Sequence, residues 1–526
     1  MIGYNHQSIN IINKLPIDCK NRLIILTKKN PIQVRAEIQA SIKEEKKELY
    51  IIIYAGGQER ISDLKLKEAI ECYILVESNE WQSQYTHSMA MLEGVALQAK
   101  SRTKRLKTDI LISDIEAYNL VNRLDLPKFE GINALDIHPF NLYDNWARLL
   151  WSYNGLKDKN KDNREEYTYD RLDFEAIENT DKHVHLVIVG FNSMGRALWQ
   201  EAVRIAHFPN FDEVFGKNKT VITIIDPKAE EIKEKLIAQY PNFQTQITDI
   251  QFDFKSNRIE DEGIRNELDT WATDEKEMLT VAICFSDPDI ALTTALSLPE
   301  SLFAQYNRLT LTPKFDDNPE GKQIIIDNPT RARILVRQSI RKKVNKLFNL
   351  ENKRYEKVKF FGNYSDAFNK AFLDDKTAIL VNGIYCKYLD NLKNDAHWSI
   401  SDDSLAKSFP DWENKWLTDT SEQHKLSTRY QIDHYRTLLA ILERDCRIAL
   451  TEKLAQTEHL RWIAERTLAG WRQARNEEKR VDELKIHTDI IPYHELASSE
   501  KTKDRNVVRF AQAVSKTAEN LTKTNP

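Results

Sequence analysis

Cysteine is scarce in this chain of 526 residues, and none of it is paired in sequence. Cys19, Cys72, Cys284, Cys386 and Cys446 are widely spaced, without a C-x-x-C pair. That excludes a disulfide framework and a structural zinc site, and it fits a reducing compartment. Cys72, Cys284 and Cys386 sit beside apolar runs and read as buried thiols. No run of about 18 apolar residues occurs, so no segment reads as a membrane span. The first residues lack the basic-then-apolar pattern of a secretory leader. Neither sign of charge dominates: 76 Lys and Arg stand against 80 Asp and Glu, a formal net charge of −4. That balance gives no compositional case for binding nucleic acid. The signatures G-x-S-x-G, G-K-[ST] and the protein-kinase set are missing. His434, His459, His487 and His494 follow no ligand spacing, and H-E-L-A-S lacks a second histidine. No catalytic residue and no metal site are therefore assigned.

What is present is globular: 41% apolar and 30% charged residues, and a length that suggests about three domains. Short apolar runs alternate with amphipathic stretches. RLIILT (22–27), LYIIIYAG (49–56), CYILVE (72–77) and DILISD (109–114) read as strands. QVRAEIQASIKEEKKE, SDLKLKEA and QYTHSMAMLEGVALQA read as helices between them, with Met89 and Met91 in the core. A charged segment, 157–182, reads as a linker. The rhythm then returns with HLVIVG (185–190), SMGRALWQEAVRIAH, VITIID (221–226), KAEEIKEKLIAQY, ITDIQFDF, a helix near 258–272 and LTVAICFS (279–286). Such alternation implies right-handed crossovers and parallel sheets. From about 323 the pattern mixes short strand-like runs (QIIID, ARILVRQ, KVKFFG) with helices. Residues 430–470 are strongly helical, and the polar end beyond 512 is expected to fray.

The second module carries the clearest site pattern. In VIVGFNSMGRALWQEA, Gly190, Asn192 and Gly195 occupy the G-x-G-x-x-G positions, with Asn192 for the middle glycine and Ser193 and Met194 between. A tight turn after a strand, close helix packing at Gly195 and free N–H groups at a helix start suit a phosphate. Asp226 ends the next strand, where an acid would bond a ribose hydroxyl. The insert HFPNFDEVFGKNK (207–219) accounts for the long spacing between Gly195 and Asp226. The alternative is a Rossmann-like domain that binds nothing, since Asn192 has a side chain where backbone should approach pyrophosphate. In the first module the turn is Gly3-Tyr4-Asn5-His6-Gln7-Ser8, and the second strand ends in Thr27-Lys28-Lys29 without an acid. Those lysines read either as phosphate-facing or as solvated loop residues. Only Met1 and Ile2 precede Gly3, so the central strand is nearly absent. That leaves core backbone groups to be paired by a longer polypeptide or by another chain.

These modules, with YIIIYAGGQERISDLKLKEAIECYILVES, resemble the tandem TrkA-N (RCK-type) regulatory modules of CASTOR/POLLUX-like ion channels over roughly 1–315. LAQTEHLRWIAERTLAGWRQA (454–474) and KIHTDIIPYHELASSEKTKDRN (485–506) resemble the ryanodine-receptor repeat, or RyR domain. Glu458, His459, Arg461, Trp462, Gly470, Trp471, His487, Pro492, Tyr493, Leu496, Asp504 and Arg505 fall on its motif positions. Trp462, Trp471 and Tyr493 suit either stacking on a base or filling a small core. His459, Arg461 and Arg505 suit either a phosphate or pairing with acids, Arg461 with Glu465 among them.

The expected fold class is α/β: two Rossmann-like parallel-sheet modules in tandem (1–156 and 183–320), a connecting region (321–430) and a mainly α-helical RyR-like domain (431–515). The resemblance implies a cytoplasmic nucleotide-sensing regulatory protein, at the inner face of a membrane if it gates a pore. It implies sensing without naming the signal, a homo-oligomer, and a membrane pore domain as partner; the Rossmann-like turns suit NAD(H) or another adenine nucleotide as ligand. A second-messenger-activated defence effector is an alternative. So is an NAD(P)-dependent oxidoreductase, for which Tyr306 or His207 would have to move the proton.

Overall fold

The computed structural model describes residues 1–5, 7–14, 22–75, 84–121, 129–152, 172, 181–303, 306–311, 324–329, 332–338, 355, 357–363, 367–368, 375–392, 402–444 and 448–524. Most of the expected linker, 157–182, lies outside them. The chain divides into two compact units. One holds Met1–Trp146, Tyr364–Gly383 and Ala406–Arg429; the other holds Ala147–Asn363, Ile384–Leu405 and Tyr430–Pro526.

In the first unit the elements are α1 (Ser8–Lys14), β1 (Arg22–Thr27), α2 (Pro31–Ser41), β2 (Tyr50–Ala55), β3 (Glu71–Ile74), α3 (Gln84–Ala99), β4 (Leu106–Leu111), α4 (Ile115–Val121), β5 (Leu135–Phe140) and the start of α5 (Leu142–Trp151). β1 pairs with β2, and β3 with β4 with β5, all in parallel. The expected gap at the centre of this sheet is closed by one residue: Ile2 forms parallel bridges to both Leu26 and Ile74. Its N–H donates to the Tyr73 carbonyl at 2.7 Å, its own carbonyl accepts from the Leu75 N–H at 2.7 Å, and the Leu26 N–H donates to the Met1 carbonyl at 2.9 Å. The core backbone groups expected to lack partners are therefore paired. With Ile2 counted as the first strand, the order is 3-2-1-4-5-6, that of a dinucleotide-binding sheet. α2 starts at Pro31 and is capped by Asn30, whose side chain accepts from the Ile32 and Gln33 N–H groups. It ends at Ser41, short of the expected 48, because Ile42 turns extended. The expected helix SDLKLKEA is displaced by a 3₁₀ turn at Gln58–Leu64. β5 contains Pro139, which is tolerated because β5 is an edge strand.

In the second unit the elements run β6 (His183–Val189), α6 (Ser193–Ile205), β7 (Thr220–Ile225), α7 (Ala229–Gln239), α8 (Phe243–Gln246), β8 (Ile250–Lys255), α9 (Glu262–Thr273), β9 (Glu277–Ile283), α10 (Pro288–Leu296), α11 (Glu300–Phe303), β10 (Tyr306–Leu311), β11 (Ile324–Pro329), β12 (Arg333–Arg337) and β13 (Val358–Phe361). β10 and β11 form a separate antiparallel ladder. The six-stranded sheet is parallel throughout, ordered β13-β12-β9-β6-β7-β8. Taken from β6, this is again 3-2-1-4-5-6. β6, β7 and β9 are near-continuous apolar runs because helices cover both faces.

Domain boundaries are corrected by this topology. The second module does not close at 320, since β12 and β13 are its fifth and sixth strands. The expected connecting region is shared out: residues up to Asn363 join the second unit, and Tyr364–Gly383 and Ala406–Arg429 join the first. The remaining helices are α12 (Lys376–Leu392), α13 (Asp402–Thr418), α14 (Glu422–Arg444), α15 (Ile448–Leu468) and α16 (Ser498–Thr524). α15 packs along α16 and ends in a left-handed Gly470 with φ +89°, the Trp471 N–H returning to the Arg466 carbonyl. α16 does not fray at 512 but continues to Thr524, with Val514 and Ala518 buried. Among the described residues no helix is long and apolar enough to cross a membrane. Cys72 and Cys284 are buried as expected, whereas Cys386 is exposed on α12.

Candidate functional site

The six residues assigned in the second module do converge on one turn, between β6 and α6. Gly190 has φ +83°, and a Cβ there would stand 3.0 Å from ring carbons of Phe285. A Cβ on Gly195 would stand 2.3 Å from the Gly190 carbonyl oxygen, so only glycine lets the helix approach. Asn192, however, caps its own helix. Its Oδ1 accepts from the Met194 N–H at 3.0 Å and the Gly195 N–H at 3.3 Å. Its Nδ2 donates to the Cys284 carbonyl at 2.5 Å and to Ser286 Oγ at 3.3 Å. Asp226 is engaged in the same way: Oδ2 accepts from the Phe191 N–H at 3.0 Å and Oδ1 from the Lys228 N–H at 2.9 Å. Met194 is buried and Ser193 half-buried. Donors and acid that would meet a dinucleotide thus satisfy one another.

The proton-transfer candidate His207 is fully buried. Its Nδ1 lies 2.7 Å from Asp249 and its Nε2 2.9 Å from the Val203 carbonyl, so both nitrogens are committed. Tyr306 stands on β10, away from the six-stranded sheet order. Spacing in the sequence also did not show a Thr–His–Glu chain across β7, β6 and β9. His185 Nε2 is 2.8 Å from Thr223 Oγ1, and His185 Nδ1 is 2.9 Å from Glu277. Burial opposes the charge on Glu277, but hydrogen bonds from His183 and His185 outweigh it and hold the carboxyl at about 2. Thr223 is fully buried in the sheet, so no substrate reaches its hydroxyl. This chain of bonds is a structural tie.

In the first module the corresponding turn is also self-capped: Asn5 Oδ1 accepts from the Gln7 N–H and the Asn5 N–H donates to Ser8 Oγ, each at 2.9 Å. A narrow recess of about 20 Å³, the room of about one water, lies at the carboxyl ends of the strands. It is lined by Ile2, Gly3 and Leu26, by Lys28, Gly56 and Gly57, and by Ile74, Leu75, His87, Ser88 and Met91. That is the switch point, where the strand order reverses between β1 and β3 and where ligands enter such sheets. The Ser88 hydroxyl is 1% exposed and has no hydrogen-bond partner among the described residues. A buried hydroxyl left unpaired costs about 1–3 kcal/mol. The sequence signals for this site were the Gly56-Gly57 pair after a strand and a serine on the inner side of α3, both overshadowed by the degenerate glycine turn.

Of the residues assigned in the C-terminal part, Trp462 and Arg505 are half-buried and the rest interior. His459, Arg461, Trp471 and Tyr493 are buried. His459 Nε2 meets the Ile491 carbonyl at 2.8 Å, and the ring stacks on Trp462 at 5.7 Å. Burial lowers its affinity for a second proton. Trp471 packs with Ile463 and Ile490. Arg461 pairs with Glu458 at 3.0 Å rather than with Glu465, and its Nη1 has no partner among the described residues. Arg505 pairs with Glu452 at 2.6 Å, and the Tyr493 hydroxyl joins the same carboxylate at 3.0 Å. Two elements of the second module hold this part. Glu213, in the 207–219 insert, accepts from the Tyr493 N–H at 3.1 Å and His494 Nδ1 at 3.0 Å, and Gln456 approaches it at 3.4 Å. Gln246 of α8 bonds Thr467 Oγ1 at 2.8 Å, the Trp471 carbonyl at 3.2 Å and the Gln473 N–H at 3.0 Å.

Residues 413–515 match the family model of the RyR domain. This match agrees with the resemblance read from the C-terminal motif and begins upstream of the expected 431. No curated protein matches the chain.

Proposed function

We propose that this chain is a ligand-sensing regulatory protein, in which occupancy of the first Rossmann-like module by an adenine-nucleotide type of metabolite, NAD(H) among the candidates, is the signal. The second module, with its turn closed by Asn192 and Asp226, serves as the platform that holds the RyR domain through Glu213 and Gln246. One observation carries the reading: a narrow recess of about 20 Å³ at the switch point of the first module, lined by glycines, a lysine and a serine whose buried hydroxyl has no partner among the described residues. The resemblance to tandem channel modules supports the output side, action on a pore or another partner by a homo-oligomer. Such action requires that the ligand bind two states of the protein with different affinity.

The test is calorimetric titration of the full chain with a panel of adenine nucleotides, for the wild type and for Gly57→Leu. Gly57 lines the recess, and a Cβ there meets the flexible ends of Glu59 and Lys28, so leucine occludes it. Saturable binding by the wild type, lost in Gly57→Leu and retained in Asn192→Ala, is expected. Binding unaffected by Gly57→Leu, or none at near-millimolar nucleotide, would overturn the reading.

A further inference from the structure

Among the described residues, one pair of adjacent large apolar side chains stands in solvent: Val214 and Phe215, 78% and 73% exposed, in the insert between α6 and β7. Apolar residues scattered singly over a surface need no explanation; these two are neighbours and are held out by a fixed turn. The insert is rooted by Phe208 and Phe211, both buried. Asp212 Oδ1 then accepts from the Val214 and Phe215 N–H groups, at 3.0 Å each, and the Asp212 N–H donates to the Lys217 carbonyl at 3.1 Å. Gly216 and Asn218 are left-handed, φ +61° and +59°, which closes the turn. A tip held in this way has little ordering left to lose on contact. Charge is sorted across the same turn. Asp212 is engaged in closing it, and Glu213 faces the RyR domain, 12% exposed, bonded to the Tyr493 N–H and His494. Lys217 is exposed, its ammonium 5.5 Å from the centre of the Phe215 ring, and Lys219 follows, half-buried. The free side of the turn therefore carries two apolar side chains and a cation, with both carboxylates occupied elsewhere.

Two side chains on one turn cannot cover the roughly 800 Å² per partner of a stable protein interface. They do suit the headgroup boundary of a bilayer, which accepts a small apolar wedge and, where its lipids are anionic, attracts lysine. We propose that the Val214-Phe215 tip docks the protein on an anionic lipid surface, with both apolar side chains entering the headgroup boundary and Lys217 beside the lipid anions. The chain as a whole has a net charge of −4, so the attraction is local to this turn. One copy docks weakly and reversibly, because so small a wedge buries less apolar surface than a single acyl chain. The contact falls on the turn whose Glu213 holds the RyR domain, and it does not depend on the first module being a ligand site.

The test is co-sedimentation of the full chain with vesicles of phosphatidylcholine alone and of equal parts phosphatidylcholine and phosphatidylserine, at low salt and millimolar lipid. Retention on the mixed vesicles, weaker on phosphatidylcholine and reduced by added salt, is expected. Phe215→Ser should lower the affinity roughly tenfold to a hundredfold, the range for one buried aromatic side chain. Lys217→Glu should lower it about tenfold on the mixed vesicles and little on phosphatidylcholine. Ile290→Ser, which removes an exposed apolar side chain elsewhere on the surface, should leave it unchanged. No retention on either vesicle, equal retention on both, or retention that survives Phe215→Ser overturns the proposal. So does self-association in analytical ultracentrifugation that Phe215→Ser abolishes while no vesicle is bound, which would make the tip a protein contact.

Discussion

Substitution of Asn192 tests whether the second-module turn is closed by its own side chain. In Asn192→Ala the Met194 and Gly195 N–H groups lose their acceptor, a change of about 1 kcal/mol for a helix cap. The Nδ2 bonds to the Cys284 carbonyl and Ser286 Oγ are lost as well. Arg337 still donates to both atoms at 3.3 Å, so neither is orphaned and the added loss is about 1 kcal/mol. The sum, about 2 kcal/mol, corresponds to roughly 30-fold faster local opening. Hydrogen–deuterium exchange by mass spectrometry, read on a peptide spanning 190–200, suits a chain of several domains better than a melting curve. Asn192→Ser keeps a cap acceptor and loses only the Nδ2 donors, so about half the effect is expected. Exchange in Asn192→Ala within threefold of the wild type would refute the capping argument.

Two further outcomes follow from buried charge. Burial, eased by His138 and Lys107, pushes the Asp109 carboxyl up to about 6, and neither oxygen has a hydrogen-bond partner among the described residues. Because the folded-state value lies above the unfolded one, this acid costs nothing below about pH 4 and removes about 3 kcal/mol as pH rises through 6. Asp109→Asn should flatten stability between those pH values; an unchanged slope in denaturant titrations would contradict it. Glu213→Ala leaves the Tyr493 N–H and His494 without their shared acceptor. Exchange in 488–497 should rise about tenfold, with Glu213→Gln milder; no change would remove the insert's role as a latch.

Much of the fold was legible because its signals are local. HLVIVG followed by SMGRALWQEAVRIAH is a buried strand and a helix, and Gly190 and Gly195 are forced by contacts within the same turn. The helix read at 84–99 matches α3 end to end. What was not legible depends on distant partners. β12 and β13 add to a sheet begun 150 residues earlier, and nothing in ARILVRQ or KVKFFG names that sheet. Three residues complete a sheet: Ile2 bonds the Tyr73–Leu75 side through both its backbone groups, while the Met1 carbonyl and the Gly3 N–H bond Leu26. Asn192 illustrates the limit for sites: asparagine is compatible with a phosphate-facing turn and is also a strong helix cap, and only geometry separates the two. His459, Arg461, Trp471 and Tyr493 suit either ligand or core by sequence, and their burial depends on partners distant in the chain. Ser88 was legible only as a serine on a helix face; that its hydroxyl has no partner among the described residues is a property of its surroundings.

Difference hydrogen exchange of the full chain, with and without saturating NADH, addresses the central claim most directly. Slower exchange at 54–60 and 84–92, with 190–196 unchanged, is the expected pattern. Protection confined to 190–196, or none anywhere at a concentration where calorimetry reports binding, would contradict it.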